Sequence, residues 1–190
     1  MTGPASEILK NSRFAYLEVN FLQAYMGLEA EPGSQSKLYR ILRDRKIEAY
    51  VTLGGHDIVC QSPHFADLAA FRKIVDSVLF ITDEGRAIVA NSTTYIILDS
   101  FRRQTKEKPA AFCFIRSGKL ASRGLFDKMV HSLFRLAPVL AVNVTIGFFD
   151  IICEVRSNNI ADLRRTVDQI LSTPGVSSRA VMVCMVSSND

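Results

Sequence analysis

The apolar positions fall into short strand-like runs and helix-spaced stripes, and their order predicts a β-α-β-β-α-β arrangement written twice. Phe14 to Phe21 reads as a strand, and the turn-forming stretch Glu29 to Ser36 as a loop. Ser36 is placed to cap a short helix over Lys37 to Asp44, with Leu38, Ile41 and Leu42 on one face. Ile47 to Leu53 and Asp57 to Gln61 read as strands around a tight turn at Gly54-Gly55. Phe65 to Leu79 has the apolar spacing of a helix, and Ile88 to Leu98 closes the unit as a strand. The second unit runs as strand Ala111 to Ile115, helix Leu120 to Leu136, and a hairpin of Val139 to Ile146 with Asp150 to Val155. Helix Asn159 to Leu171 and strand Val176 to Val186 complete it, separated by Thr173-Pro174-Gly175.

The repetition is literal in one place. Val51-Thr-Leu-Gly-Gly-His-Asp-Ile-Val-Cys60 aligns with Val144-Thr-Ile-Gly-Phe-Phe-Asp-Ile-Ile-Cys153, with six of ten positions identical. Ala66-Asp67-Leu68 is echoed by Ala161-Asp162-Leu163. Such self-similarity marks a duplicated unit. The expected organisation is a flexible N-terminus at 1–13, a repeat at 14–99, a polar linker at 100–109 and a second repeat at 110–187.

A β-α-β-β-α-β unit is the ferredoxin-like arrangement, a four-stranded antiparallel sheet with both helices on one face. The other face is apolar here as well, since neither Val142, Val144 and Ile146 nor their alternates Leu140, Asn143 and Thr145 are charged. A sheet with two apolar faces needs a second cover. The fold class expected is therefore α+β: two tandem ferredoxin-like βαββαβ repeats of the dimeric α/β-barrel type, with sheets packed face to face as a pseudo-dimer. A hydrophobic fraction of 48% in 190 residues adds the expectation of a homo-oligomer interface.

Charge and cysteine usage narrow the function classes. The net charge of +4 is spread along the chain rather than gathered into a nucleic-acid-binding stripe. The four cysteines all lie inside apolar runs and form no C-x-x-C pair, which suits buried thiols in a reducing compartment. Three histidines without ligand spacing argue against a metal site, and no cofactor is expected. The first dozen residues lack the apolar core of a signal peptide, and no run is long enough to span a bilayer, so a cytoplasmic location is expected. No nucleophile–base motif, P-loop or dinucleotide fingerprint is present, so no catalytic residue is assigned.

The duplicated turn carries the candidate chemistry. Thr-x-Gly-x-x-Asp recurs as Thr52, Gly54, Asp57 and as Thr145, Gly147, Asp150. A glycine there allows a positive φ, and an aspartate accepts hydrogen bonds from the turn's own amides, which describes a well-made turn. The same parts can also act on a ligand. Outward amides form an anion nest, and a carboxylate beside them can hold an ammonium group. The two copies differ in the middle: Gly55-His56 is small and titratable, Phe148-Phe149 bulky and apolar.

These stretches, with Leu171-Ser-Thr-Pro-Gly-Val176, resemble the effector-binding domain of the Lrp/AsnC family. The second copy carries the resemblance best, and the first has Thr82-Asp-Glu-Gly85 in place of the Pro-Gly-Val turn. The resemblance implies an amino-acid-sensing module of transcription regulation, with small effectors bound between subunits near the turn. Carried over by position, the ligand-binding candidates are Thr52, Gly54, His56 and Asp57 with Thr145, Gly147, Phe149 and Asp150. About thirteen residues precede the first predicted strand, too few for that family's DNA-binding domain, so no direct DNA binding is expected. Such a module would act through oligomerisation or a regulator protein partner. Two other readings stay open: an enzyme of the dimeric α+β-barrel class, haem- or tetrapyrrole-related or a cofactor-free oxygenase, with His56 and His64 as suspects, and a structural adaptor with no ligand.

Overall fold

A computed structural model describes residues 22–118 and 122–187. The predicted strand Phe14–Phe21 and the N-terminal segment 1–13 lie outside the described residues. The first described strand is β1 (Gln23–Ala30), followed by α1 (Gln35–Asp44), β2 (Glu48–Gly54), β3 (Ile58–Gln61) and α2 (Leu68–Leu79). A small hairpin, β4 (Thr82–Asp83) and β5 (Arg86–Ala87), precedes the long β6 (Val89–Arg102). The remainder is β7 (Ala111–Ser117), α3 (Arg123–Arg135), β8 (Val139–Ile146), β9 (Ile151–Val155), α4 (Ile160–Leu171) and β10 (Val176–Val186). No helix among the described residues is long and apolar enough to cross a membrane.

Helix starts follow local capping. Asp67 Oδ1 accepts from the Ala70 amide at 2.7 Å, so α2 begins after Asp67 and not at Phe65. Ser122 and Asn159 cap α3 and α4 in the same way. Ser36 is not the cap of α1: the residue there is Ser34, without a side-chain bond.

The strands form one closed antiparallel barrel in the order β1-β3-β2-β10-β7-β9-β8-β6. This corrects the expected pair of tandem ferredoxin-like repeats with sheets packed face to face. Strands of the two halves join edge to edge instead, β2 with β10 and β6 with β8. Both apolar faces are buried, and the second is covered by curling the sheet around it. The interior holds Tyr25, Tyr95, Phe112, Phe114, Phe149 and Ile152. The outer face is covered in one half by α1 and α2, over Met26, Leu28, Ile58 and Cys60, and in the other by α3 and α4, over Cys113, Val142, Ile151 and Cys153. All four cysteines are free and buried.

Closure depends on two glycines. Gly54 pairs with Cys184 at the first seam and has φ +136°. A Cβ at Gly54 would collide with the Val183 carbonyl oxygen. Gly147 follows Ile146 at the second seam, where a Cβ would lie 2.7 Å from the Tyr95 ring and 3.1 Å from the Thr94 carbonyl oxygen. Strand β6 runs on into the segment read as linker. A bulge between Ile97 and Asp99 restores the inward direction at Ser100 and Arg102.

Candidate functional site

The eight residues singled out in the sequence are brought together at one end of the barrel, as two matching turns that converge on Tyr95 and Phe114. The Thr52 and Thr145 hydroxyls donate to the carbonyls of His56 (2.6 Å) and Phe149 (2.9 Å). Asp57 Oδ2 accepts from the Ala30 amide at 2.9 Å; Asp150 Oδ2 accepts from the Ser117 amide at 2.7 Å and its hydroxyl at 2.8 Å. Each carboxylate thereby pins the end of a neighbouring strand. Every threonine and aspartate of the motif is engaged within the protein, and the glycines serve the seams.

The two middle residues point inward. The Phe149 ring stands 5.8 Å from Phe114 and 6.2 Å from Tyr95, and the His56 ring 5.5 Å and 6.3 Å from the same two rings. His56 Nε2 lies 3.4 Å from the Tyr95 hydroxyl, while Nδ1 is buried without a partner among the described residues. Burial pushes the imidazole pKa below its ordinary value, with the charges of Glu29 and Asp57 opposing more weakly. His56 is accordingly neutral near pH 7.

The opposite end of the interior holds a polar network that no spacing motif in the sequence connects. Glu154 on β9 is 3% exposed. Arg102 grips it with both terminal nitrogens, Nη1 to Oε2 at 2.9 Å and Nη2 to Oε1. The Tyr25 hydroxyl also donates to Glu154 Oε1. Asn143 Nδ2 donates to the Tyr25 oxygen at 3.3 Å, and the Ser100 hydroxyl to Asn143 Oδ1 at 2.7 Å. Burial, then the Glu154 charge, raises the Tyr25 pKa far above the usual phenol value, so it stays protonated. Burial works against the Arg102 charge, but the Glu154 carboxylate outweighs it and the guanidinium pKa is raised. Phe112 separates Tyr25 from Tyr50, with ring centroids 6.0 Å and 5.2 Å away.

Tyr50 lies on the far side of Phe112 from this network, towards the surface. Its hydroxyl donates to Glu48 Oε1, and burial followed by that bond raises its pKa. Glu48 and Tyr50 line a cavity of about 300 Å³ together with Tyr39, Arg43, Lys46 and Lys108. The Arg43 guanidinium lies over the Tyr39 ring at 5.7 Å. Three cations thus surround one carboxylate and two phenols. A faint signal for this site exists in the chain: Glu154 is the single charge within Ile151-Ile-Cys-Glu-Val155, and Asn143 is a polar break in Val139 to Val144.

A haem needs room and a side chain facing it, and neither the barrel interior nor the helix–sheet layer of the second half offers both. The barrel interior is filled with aromatic rings, and the helix–sheet layer of the second half is closed by Met129, Leu133, Leu163 and Ile170, each at most 7% exposed. His56 is wedged against Gly27, where even a Cβ would collide with its ring. His64 and His131 are exposed. Among the described residues no group of three or more His, Cys, Asp or Glu side chains could hold a metal ion. The packed interior does not fit a haem.

No family model matches the chain, and no curated protein matches it. Solved structures do. A mutant chlorite dismutase from Candidatus Nitrospira defluvii superimposes with a TM-score of 0.57 at 11% identity, over 88% of this chain and 92% of that one. Another mutant of that protein, in complex with cyanide, gives 0.56 at 11% identity over 98% and 95%. A putative chlorite dismutase gives 0.52 at 10% identity over 88% and 95%. The expectation of an Lrp/AsnC-like transcription regulator built from tandem repeats is corrected by these matches and by the closed barrel. The chain has the fold of the chlorite dismutase structures, and at this identity the likeness is one of fold alone.

Proposed function

We propose that the chain is an enzyme of the α+β-barrel class that moves a proton on a small anionic organic molecule at the Glu48–Tyr50 mouth of the barrel, without haem. The observation that carries this reading is the Glu48–Tyr50 pair lining a cavity ringed by Arg43, Lys46 and Lys108. A mouth of about 300 Å³ is at the small end of the usual range for ligand sites. The cations attract a carboxylate or similar anion. Glu48, at the exposed rim, is positioned as general base. Tyr50 keeps its proton and can turn it from Glu48 to a developing oxyanion. The Arg102–Glu154–Tyr25 network behind Phe112 holds the floor in one geometry. The shared fold with chlorite dismutases supports an enzyme over a sensor or an adaptor.

The test is a thermal-shift screen against 2-oxo acids, hydroxybenzoates and haem, followed by solvent-deuterium incorporation for any hit. A ligand at a hundredfold its Kd adds about 2.7 kcal/mol, a rise of roughly 5–10 °C for a chain of this size. The expected result is one anionic class that shifts the wild type, exchanges a proton with solvent, and loses both effects in Glu48→Gln and Tyr50→Phe. A flat response to every acid, or a saturable Soret band on haem addition, overturns the reading.

A further inference from the structure

A second cavity lies beside the barrel mouth and shares Lys108 with it. It is a cleft of about 1000 Å³ between the C-terminal end of α3, one face of α4 and the segment that joins β6 to β7. Its charged lining is Glu107, Lys108, Arg135, Arg156, Asp162 and Arg165, four cations against two carboxylates. Arg156 pairs with Glu107 at 3.0 Å and Arg165 with Asp162 at 3.5 Å. Lys108 and Arg135 have no ion pair among the described residues. The carbonyls at the end of α3 would ordinarily draw nearby cations. Here Arg103 already occupies them, donating to Phe134 O at 2.7 Å and Leu136 O at 3.4 Å. The surplus charge of the cleft is therefore left facing its open space.

We infer that this cleft binds a phosphorylated small molecule, with Arg135, Arg165 and Lys108 meeting the phosphate oxygens. A guanidinium offers paired donors that match a phosphate, which makes two arginines a better phosphate site than a carboxylate site. A single concavity, set in a chain with a net charge of only +4, suits a compact polyanion rather than a nucleic-acid strand tracking a long stripe. The inference stands whether or not the Glu48–Tyr50 mouth is catalytic.

The experiment is calorimetric titration of the full chain with inorganic pyrophosphate at low and at high salt. The expected result is saturable one-to-one binding that weakens as salt rises. An Arg135→Glu/Arg165→Glu chain should bind at least about tenfold more weakly. An Arg72→Glu/Lys73→Glu chain has the same net charge change on the far helix α2 and should bind as the wild type does. So should Tyr50→Phe, which separates this site from the barrel mouth. Circular dichroism checks that each variant keeps its fold. No saturable heat, equal weakening in both double variants, or unaltered binding in the Arg135→Glu/Arg165→Glu chain would overturn the inference.

Discussion

The two halves of the barrel use one turn to different ends. In both, the threonine amide donates to the aspartate carbonyl at 2.8 Å, and the aspartate amide donates to the preceding strand, to Leu28 at 2.9 Å or to Ile115 at 3.0 Å. The frame is therefore the same, and what it presents is not. The second half fills the interior from strand and turn alike, with Phe114 and Phe149. The first places glycine on the strand, Gly27, and lays His56 over it. The other end of the barrel shows the same kind of exchange: Tyr25 and Gln61 in the first half stand where Phe112 and Glu154 stand in the second. A duplicated backbone frame holds its strand ends by identical bonds, while its inward positions have diverged until polar groups from both halves complete one network.

The seam glycines test this most severely. Gly54 has a left-handed backbone and faces a carbonyl, which cannot yield, whereas Gly147 faces a ring and a carbonyl at longer range. Gly54→Ala should cost about 3 kcal/mol or more, combining the φ penalty with forced separation of β2 from β10. Gly147→Ala should cost about 1–2 kcal/mol, because the Tyr95 ring can shift. Urea unfolding of both variants checks the order. Equal losses would mean that the two seams are equally rigid and that the contrast in φ decides nothing.

The inward network should answer next. Arg102→Ala leaves Glu154 buried with the Tyr25 hydroxyl as its remaining donor of the pair. Breaking a buried ion pair in this way costs about 3–5 kcal/mol, and the half-exposed Arg102 places the expectation near 2–3 kcal/mol. Glu154→Gln, which matches Gln61 of the other half, should cost less because it removes the buried charge along with its partner's role. If Glu154→Gln proves the more damaging in denaturant titrations, the network serves the carboxylate itself, and the proposed floor of the barrel mouth gains a charged function.

Much of the local order was legible from the chain. Apolar periodicity located the helices, the β8–β9 hairpin and β10 to within a few residues. The closure of the barrel was not legible, because an alternating pattern with two apolar faces says that both are buried and not by what. A second sheet and a curled sheet satisfy Val142, Asn143 and Val144 equally well. Strand β6 runs four residues past its expected end at Leu98, since the bulge there breaks the period-two rhythm just before Ser100 and Arg102 turn inward. The polar network escaped for another reason. Tyr25, Arg102 and Glu154 are distant in the chain, so no spacing rule connects them, and only the order of strands around the barrel brings them together.

The smallest expected effect is the most specific to the difference between the turns. His56 is buried and neutral, with its pKa lowered by burial, whereas in the unfolded chain it titrates near about 6.5. Below that pH the unfolded chain binds a proton that the folded chain resists. Stability should therefore be full above about pH 6.5 and fall as the pH drops through that value toward the lowered folded pKa. His56→Phe copies the other half of the barrel, removes the unpartnered Nδ1, and should flatten this part of the pH profile. Above pH 6.5 the same variant should match or exceed the wild type by up to about 1 kcal/mol, since an unsatisfied buried nitrogen is lost. Unfolding free energies measured across the acid range for both chains decide the matter. A variant that keeps the wild-type slope would assign it to other groups. A variant that loses stability at every pH would mean that Gly27 leaves room for an imidazole but not for a phenyl ring, and that the first half's turn and strand have diverged as a matched pair.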